Sequence, residues 1–163
     1  MSGFLQEWSE FNVAMTGATA ALAGLVIVAA SVNIGDIVAS RPLTARLGSA
    51  IVMLVVALIA SALGLVPGID GLWFGGLVVA AALIALGFQI ATARVLAADR
   101  DPRDGARWAK SLLGFVPAVA YLAAGVLALA AQPAALAVAA AGALLAIVGA
   151  ILVSWVALVE VLR

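Results

Sequence analysis

The 163-residue sequence contains no cysteine and no histidine, and this double absence narrows the chemistry open to it. Thiolate and imidazole groups are the usual ligands of zinc, copper, haem iron and iron–sulfur clusters. We therefore expect no metal and no other cofactor, and thiol redox chemistry is excluded. Catalysis that depends on a histidine base or a cysteine nucleophile is excluded as well, and no glycine-rich phosphate loop is present. The sequence predicts a protein that is not an enzyme.

Charge is also scarce. Eight basic and eight acidic residues make up 10% of the chain and leave a formal net charge of zero. Nucleic acid is recognised by basic surfaces, so this balance argues against such a partner. Seven of the sixteen charges fall within residues 99–110, DRDPRDGARWAK. The whole chain is 67% hydrophobic, with a mean hydropathy of +1.29, which is typical of an integral membrane protein.

Long apolar runs predict an all-α membrane bundle of five transmembrane helices forming a single domain, residues 1–163. A helix needs roughly 20 apolar residues to cross the hydrocarbon region. Pro67 and Gly68 predict a tight turn after the second span, while Gln132 and Pro133 divide the fourth from the fifth. The expected spans are about 11–33, 47–66, 72–97, 108–131 and 134–161.

The distribution of Lys and Arg predicts the orientation. Cytoplasmic loops are enriched in basic residues. Every basic residue lies beside the first loop, the third loop or the C-terminus, which places the N-terminus outside and the C-terminus in the cytoplasm of a bacterial inner membrane. The acidic N-terminal segment predicts no cleaved signal peptide, and residues 3–10 predict a short interfacial helix. The basic residues are Arg41, Arg46, Arg94, Arg100, Arg103, Arg107, Lys110 and Arg163.

The first span carries a stripe of polar side chains. At 100° per residue, its members fall within one sector of the helix: Asn12, Thr16, Thr19 and Asn33. Such a stripe has two interpretations. It lines a water-filled path, or its hydroxyls and amides bond to neighbouring helices and to carbonyls of their own helix.

Small residues form a second face of the first span and recur in the fifth. Small faces let helix backbones approach closely, which drives helix association in lipid. The third face of the first span, with Leu22 and Leu25, suits lipid. The predicted packing residues are Gly17, Ala20, Ala21 and Gly24 in the first span and Gly142, Ala146 and Gly149 in the fifth.

Two further groups of polar residues are predicted at the cytoplasmic face. Arg46, Gln89, Arg94 and Glu160 are expected at a polar mouth, with a solvated Glu160 beside Arg163 as the alternative. A juxtamembrane basic cluster attracts anionic lipid headgroups. The loop cluster is therefore either a headgroup site or only a solvated topology signal, and its spacing of acids does not match a calcium-binding EF-hand loop. Its basic members are Arg100, Arg103, Arg107 and Lys110.

Two stretches, GATAALAGLVIVAASVN at 17–33 and SWVALVEVLR at 154–163, carry a family resemblance. They resemble a loosely related set of small bacterial multi-pass membrane proteins of uncharacterised function. The resemblance covers the first and last spans by motif and the middle by hydropathy. It implies that Asn33 and Glu160 belong to the shared pattern, and it implies no activity.

Two functions agree with these observations. The first is a homo-oligomer that forms a channel or conduit for ions or small solutes, lined by the polar stripe of the first helix. The second is a non-catalytic structural or accessory protein that binds membrane lipids or a larger membrane complex. Five short, mostly apolar helices enclose little polar path, so the first function requires several copies.

Overall fold

The computed structural model describes residues 7–98 and 107–161, with side chains for 7–98 and 114–156. The described residues form six helices and no strand. Four of these helices are long and apolar enough to cross a membrane, which supports an integral membrane protein, and Gly114–Leu129 within a fifth is a shorter apolar stretch. The helices are α1 (Ser9–Val32), α2 (Ile34–Ala39), α3 (Arg41–Leu63), α4 (Gly71–Ala98), α5 (Arg107–Leu129) and α6 (Ala135–Val161).

Each apolar run contains a helix, and the largest difference from the expected boundaries lies at the start of α3. That helix begins at Arg41 rather than near residue 47. Ser40 caps it by accepting a hydrogen bond from the Leu43 backbone N–H at 3.4 Å, and Pro42 suits the first turn because it has no N–H to leave unpaired. Arg46 therefore lies inside the helix, about 7.5 Å from its start. The helix expected at residues 3–10 lies mostly outside the described residues.

The short helix α2 was not expected from hydropathy. Asn33 ends α1, and the next six residues form a single helical segment before Ser40. The Thr44 hydroxyl donates to the Ile37 carbonyl at 2.6 Å, which fastens α2 to the first turn of α3. Ile37 is buried in the same place, so the connection between α1 and α3 is a packed corner.

Helix α3 is the centre of the bundle. It packs against α1, α4 and α6, while α5 packs mainly against α4 and α6. Helices α3, α4, α5 and α6 thus form a four-helix unit, and α1 lies outside it against α3, with a smaller contact to α6. In the apolar stretch of α1 only 11% of the residues are buried, whereas 56% of those in the apolar stretch of α3 are buried.

Two apolar clusters make the core. The larger one lies within the four-helix unit and is rich in alanine, and the smaller one joins α1, α2, α3 and α6 around Leu54 and Val26. Leu22 packs against the smaller cluster, so its expected position on the lipid face is wrong. The reason is the rotation of α1, which turns Leu22, Ala23 and Val26 together toward α3 and leaves Leu25 exposed.

The backbones of helices α4 and α5 approach each other closely at two glycines. A Cβ atom placed on Gly75 would lie 2.8 Å from the Gly125 carbonyl oxygen, and one on Gly125 would lie 2.9 Å from the Val79 backbone nitrogen. Neither contact leaves room for a methyl group. Two glycines on facing helices therefore set the distance between α4 and α5.

The two hairpin turns use left-handed backbone positions. Gly68 has φ of 74° in the turn between α3 and α4, where glycine carries no steric penalty. Between α5 and α6, Ala131 has φ of 53°, and the Gln132 N–H donates to the Leu127 carbonyl at 2.9 Å. This six-to-one bond caps the end of α5 and lets the chain reverse at the predicted site.

Candidate functional site: two polar chambers in the helix bundle

The first site is a cavity of about 30 Å³ between α3, α4, α5 and α6, which has room for about two water molecules. Its polar lining residues are Arg46 and Ser49 of α3 with Gln89 and Thr92 of α4. Spacings of three residues place each pair on one helix face. We name this cavity the arginine chamber.

Within the arginine chamber, a buried hydrogen bond joins α3 to α4. The Ser49 hydroxyl donates to Gln89 Oε1 at 2.6 Å, and both side chains are buried. Gln89 is 2% exposed, and its Nε2 group has no hydrogen-bond partner among the described residues. Arg46 is 9% exposed. The chamber therefore presents a cation and an amide donor inside helices that are apolar enough to span a membrane.

Gly114 of α5 makes room for this arrangement. A Cβ atom at that position would collide with the Gln89 side-chain amide and would lie 3.0 Å from the Ser49 hydroxyl oxygen. The amide of Gln89 thus occupies the space that a larger residue on α5 would fill. A side chain larger than hydrogen at position 114 must displace the hydrogen-bonded pair.

The second site is a smaller cavity, of about 10 Å³, which we name the tyrosine chamber. Its polar lining residues are Asn12 of α1, Ser61 of α3 and Tyr121 of α5. Asn12 is 8% exposed and Tyr121 is 1% exposed, and neither Asn12 Nδ2 nor the Tyr121 hydroxyl has a hydrogen-bond partner among the described residues. The Asn12 amide lies where a Cβ atom on Gly64 would stand, so a glycine accommodates an amide here too.

The polar stripe of the first helix faces the protein interior. Thr16 donates to the Asn12 carbonyl at 2.7 Å, and the fully buried Thr19 donates to the Met15 carbonyl at 2.6 Å. Asn33 ends α1 and lines neither chamber. These bonds match the interpretation in which the hydroxyls donate to carbonyls of their own helix. Asn12 is the residue of the polar stripe that lines one of the two chambers.

The two sets of small residues have different surroundings. Gly142 is packed against the ring of Tyr121, where an added Cβ atom would lie 3.2 Å away, Ala146 is in the main core, and Gly149 lines the arginine chamber. On α1 the small face points outward. A Cβ atom on Gly17 or Gly24 would meet nothing within 4 Å. Ala20 and Ala21 are exposed as well.

Of the residues expected at a polar mouth, Arg46 and Gln89 come together in the arginine chamber, while Arg94 is exposed and does not line it. The side chain of Glu160 lies outside the described residues. So do the side chains of the loop cluster, Arg100, Arg103, Arg107 and Lys110.

Sequence reasoning missed Ser49, Ser61, Gly114 and Tyr121. Two of them left a signal. Ser49 follows Arg46 by three residues, so both lie on one face of the helix once the helix is taken to begin before Arg46. Tyr121 is the sole tyrosine of the chain and lies in the middle of an apolar run. Gly114 left no signal in the sequence, because its role depends on its contact with Gln89 on another helix.

No family model matches the chain, and no curated protein or solved structure matches it either. The interpretation of the two chambers therefore rests on their geometry and chemistry.

Proposed function

We propose that this chain is a five-span protein of a bacterial inner membrane that conducts a small polar solute or ion through the interior of its own helix bundle. The observation that carries the proposal is the Ser49–Gln89 hydrogen bond beside Arg46 within membrane-spanning helices. Polar and ionisable groups are costly inside a bilayer and mark solute or ion pathways when they occur there. Amide, hydroxyl and guanidinium groups bind and orient a solute, and they do not supply catalysis.

A path inside each protomer agrees better with the geometry than a path between copies lined by α1. Thr16 and Thr19 donate their hydroxyl protons to carbonyls of α1 itself, and Thr19 is fully buried. A ring of first helices would therefore present few free polar groups to its centre. The two chambers, in contrast, lie along the four-helix unit, one toward each end of α3.

Filling the arginine chamber should block conduction. In Gly114→Val the new side chain occupies the space of the Gln89 amide, so we expect flux through reconstituted protein to fall by at least about tenfold, as expected for a barrier raised by 1.4 kcal/mol or more. Flux is measured in proteoliposomes with a panel of inorganic ions and small neutral solutes. Gly87→Val is the matched control, because position 87 is exposed and an added Cβ atom there meets nothing within 4 Å.

Equal flux in the Gly114→Val and Gly87→Val proteins would contradict a path through the arginine chamber. A folded wild-type protein that passes no ion or small solute above empty liposomes would contradict conduction altogether.

The proposed topology has its own test. Because the chain has no cysteine, single cysteines can be introduced at exposed positions without background labelling. Val66, between α3 and α4, should react with an impermeant thiol reagent in intact cells, and Ala39, at the end of α2, should react only after the membrane is opened. The loop at 99–110 would then face anionic cytoplasmic lipid headgroups with its basic residues. The reverse labelling pattern would contradict this orientation.

A second candidate function is assembly, either as a homo-oligomer or within a larger membrane complex, through α1. The outward small face at Gly17 and Gly24 favours it, because that face is free of intramolecular contacts among the described residues. The double substitution Gly17→Leu, Gly24→Leu should leave folding unchanged and weaken association by at least about tenfold, since the larger side chains keep two backbones apart. Förster transfer between labelled copies in liposomes measures association. Ala29→Leu, elsewhere on the exposed surface of α1, is the control, and unchanged transfer in the double variant would exclude this face.

A further inference from the structure

We infer that the solute is a small inorganic anion, of the size of a halide ion, which is held by N–H and O–H donors in the two chambers. This inference rests on the proposed conduction path and names the class of its substrate.

The arginine chamber is rich in donors. Its unused donor is the buried Gln89 Nε2 group, which donates to no described residue. Arg46, which already has an interaction partner, adds positive charge to the lining, and no carboxylate is among the described lining residues. The Ser49 hydroxyl holds Gln89 Oε1 at 2.6 Å, so the acceptor end of the amide is engaged and its donor end is left for the cavity. A buried donor without a partner destabilises the folded protein, and an anion removes this cost by accepting the hydrogen bond.

The tyrosine chamber repeats this pattern with different residues. Asn12 Nδ2 and the Tyr121 hydroxyl are both buried, both line the cavity, and both lack a partner among the described residues. No carboxylate is among its described lining residues either. Two separate cavities along one bundle therefore present unused donors. The arginine chamber, at about 30 Å³, has room for a small anion, whereas the tyrosine chamber, at about 10 Å³, has space for about one water molecule and must widen to admit an anion.

The chambers are stacked along the bundle with one turn of alanine between them. On α3, Met53 lines the arginine chamber and Ala60 the tyrosine chamber, and Ala57 lies midway. On α5, Ala118 lies between Pro117 of the arginine chamber and Tyr121 of the tyrosine chamber. We name Ala57, Ala118 and Ala143 of α6 the alanine layer; all three belong to the buried main core, and Ala143 also lines the tyrosine chamber.

Charges near the two ends of the bundle indicate where an anion enters. Arg41 and Arg94 are exposed near the end that holds the arginine chamber and outnumber the exposed Asp36 of α2 there, whereas the exposed charges described at the other end, Glu7, Glu10 and Asp70, are all acidic. Clustered charge of one sign raises the local concentration of the opposite ion. An anion therefore loads from the arginine side, and its size is limited by a cavity of about 30 Å³.

The test uses purified full-length protein and sodium chloride, with sodium gluconate at equal concentration as the comparison, because gluconate is too large for either chamber. Binding to the folded state raises the melting temperature in proportion to the logarithm of ligand concentration. We expect chloride to raise it and gluconate not to. Gln89→Glu places a negative charge in the chamber and should weaken chloride binding by at least about tenfold, since like charges repel strongly when buried. Gln132→Glu makes the same chemical change in an exposed turn and should keep the wild-type response.

The outcomes separate the anion inference from the proposed conduction. If Gln89→Glu fails to fold, Gln89→Met, which lacks the donor and has a similar length, should also lose the chloride response. A rise in melting temperature with sodium or potassium at constant chloride, made larger by Gln89→Glu, would overturn the anion inference. Cation flux in liposomes would in that case still support conduction. A chloride response without flux would keep the anion site and contradict conduction. No chloride response in the wild-type protein overturns the inference directly.

Discussion

Tyr121→Ala should lower the free energy of unfolding by about 3–5 kcal/mol, the largest loss that we expect from a single substitution in this chain. Tyr121 is 1% exposed, belongs to the main core and packs against Gly142. The remaining cavity cannot close easily, because the neighbouring residues on α3 and α6 are mostly alanines, which have no length with which to fill it. Unfolding by denaturing detergent in mixed micelles measures the loss.

Tyr121→Phe is the control that separates the ring from the hydroxyl. The ring keeps its contacts, and the hydroxyl has no described hydrogen-bond partner to lose. Removing an unsatisfied buried polar group is neutral or stabilising by up to about 1 kcal/mol. A loss above about 1 kcal/mol in the phenylalanine variant would contradict this and would show that the hydroxyl is bound in the folded protein.

Gly75→Ala should lower the free energy of unfolding by about 2–3 kcal/mol, although alanine favours helices. The added methyl group would lie 2.8 Å from the Gly125 carbonyl oxygen and 2.9 Å from the Leu129 backbone nitrogen, so α4 and α5 must separate. Both atoms belong to the backbone and cannot move aside by a change of rotamer.

The adjacent Gly76 supplies a matched control for Gly75. A Cβ atom there meets nothing within 4 Å, and the position is exposed. Gly76→Ala should be neutral or stabilising by up to about 1 kcal/mol, because it only replaces the weaker helix former. Equal effects of the two substitutions would show that α4 and α5 do not approach as closely as described.

Hydropathy predicted where the helices lie, because an apolar run long enough to cross a bilayer has helix as its main solution in a chain of this kind. It did not predict the local capping that moves the start of α3 back to Arg41. This shift of about six residues decides the environment of Arg46. If the span began near residue 47, Arg46 would precede it and would belong to a polar mouth. Because α3 begins at Arg41, Arg46 is part of the helix and lies buried beside Ser49 and Gln89.

The rotation of the helices about their axes was harder to predict than their positions. Nearly every face of α4 and α6 is apolar, so hydropathy does not distinguish the side that packs from the side that meets lipid. On α1, polarity did carry a signal, and Asn12 and Thr19 face inward. Leu22 shows the limit of that signal, because its size and hydropathy suit lipid and core equally well, and only the contact with α3 decides.

Close contacts between distant segments left no trace in the sequence. Gly75 and Gly125 are 50 residues apart, and Gly114 gains its role from Gln89 on another helix. The individual glycines look like many others in an apolar chain with 16 of them. The candidate site consequently had two of its members, Arg46 and Gln89, predicted as neighbours, while the residues that shape the cavity around them required the structure.

The alanine layer has a consequence for the kinetics of any passage between the chambers. A methyl group has no side-chain dihedral angle to rotate, so these three residues cannot swing aside as a phenylalanine or leucine gate would within nanoseconds. A path between the chambers therefore opens only when whole helices shift. Pro117, next to the alanine layer on α5, already interrupts the backbone hydrogen bonding of that helix. Collective helix motions take microseconds to milliseconds. Transit would accordingly be slow and strongly dependent on temperature and on the stiffness of the surrounding lipid.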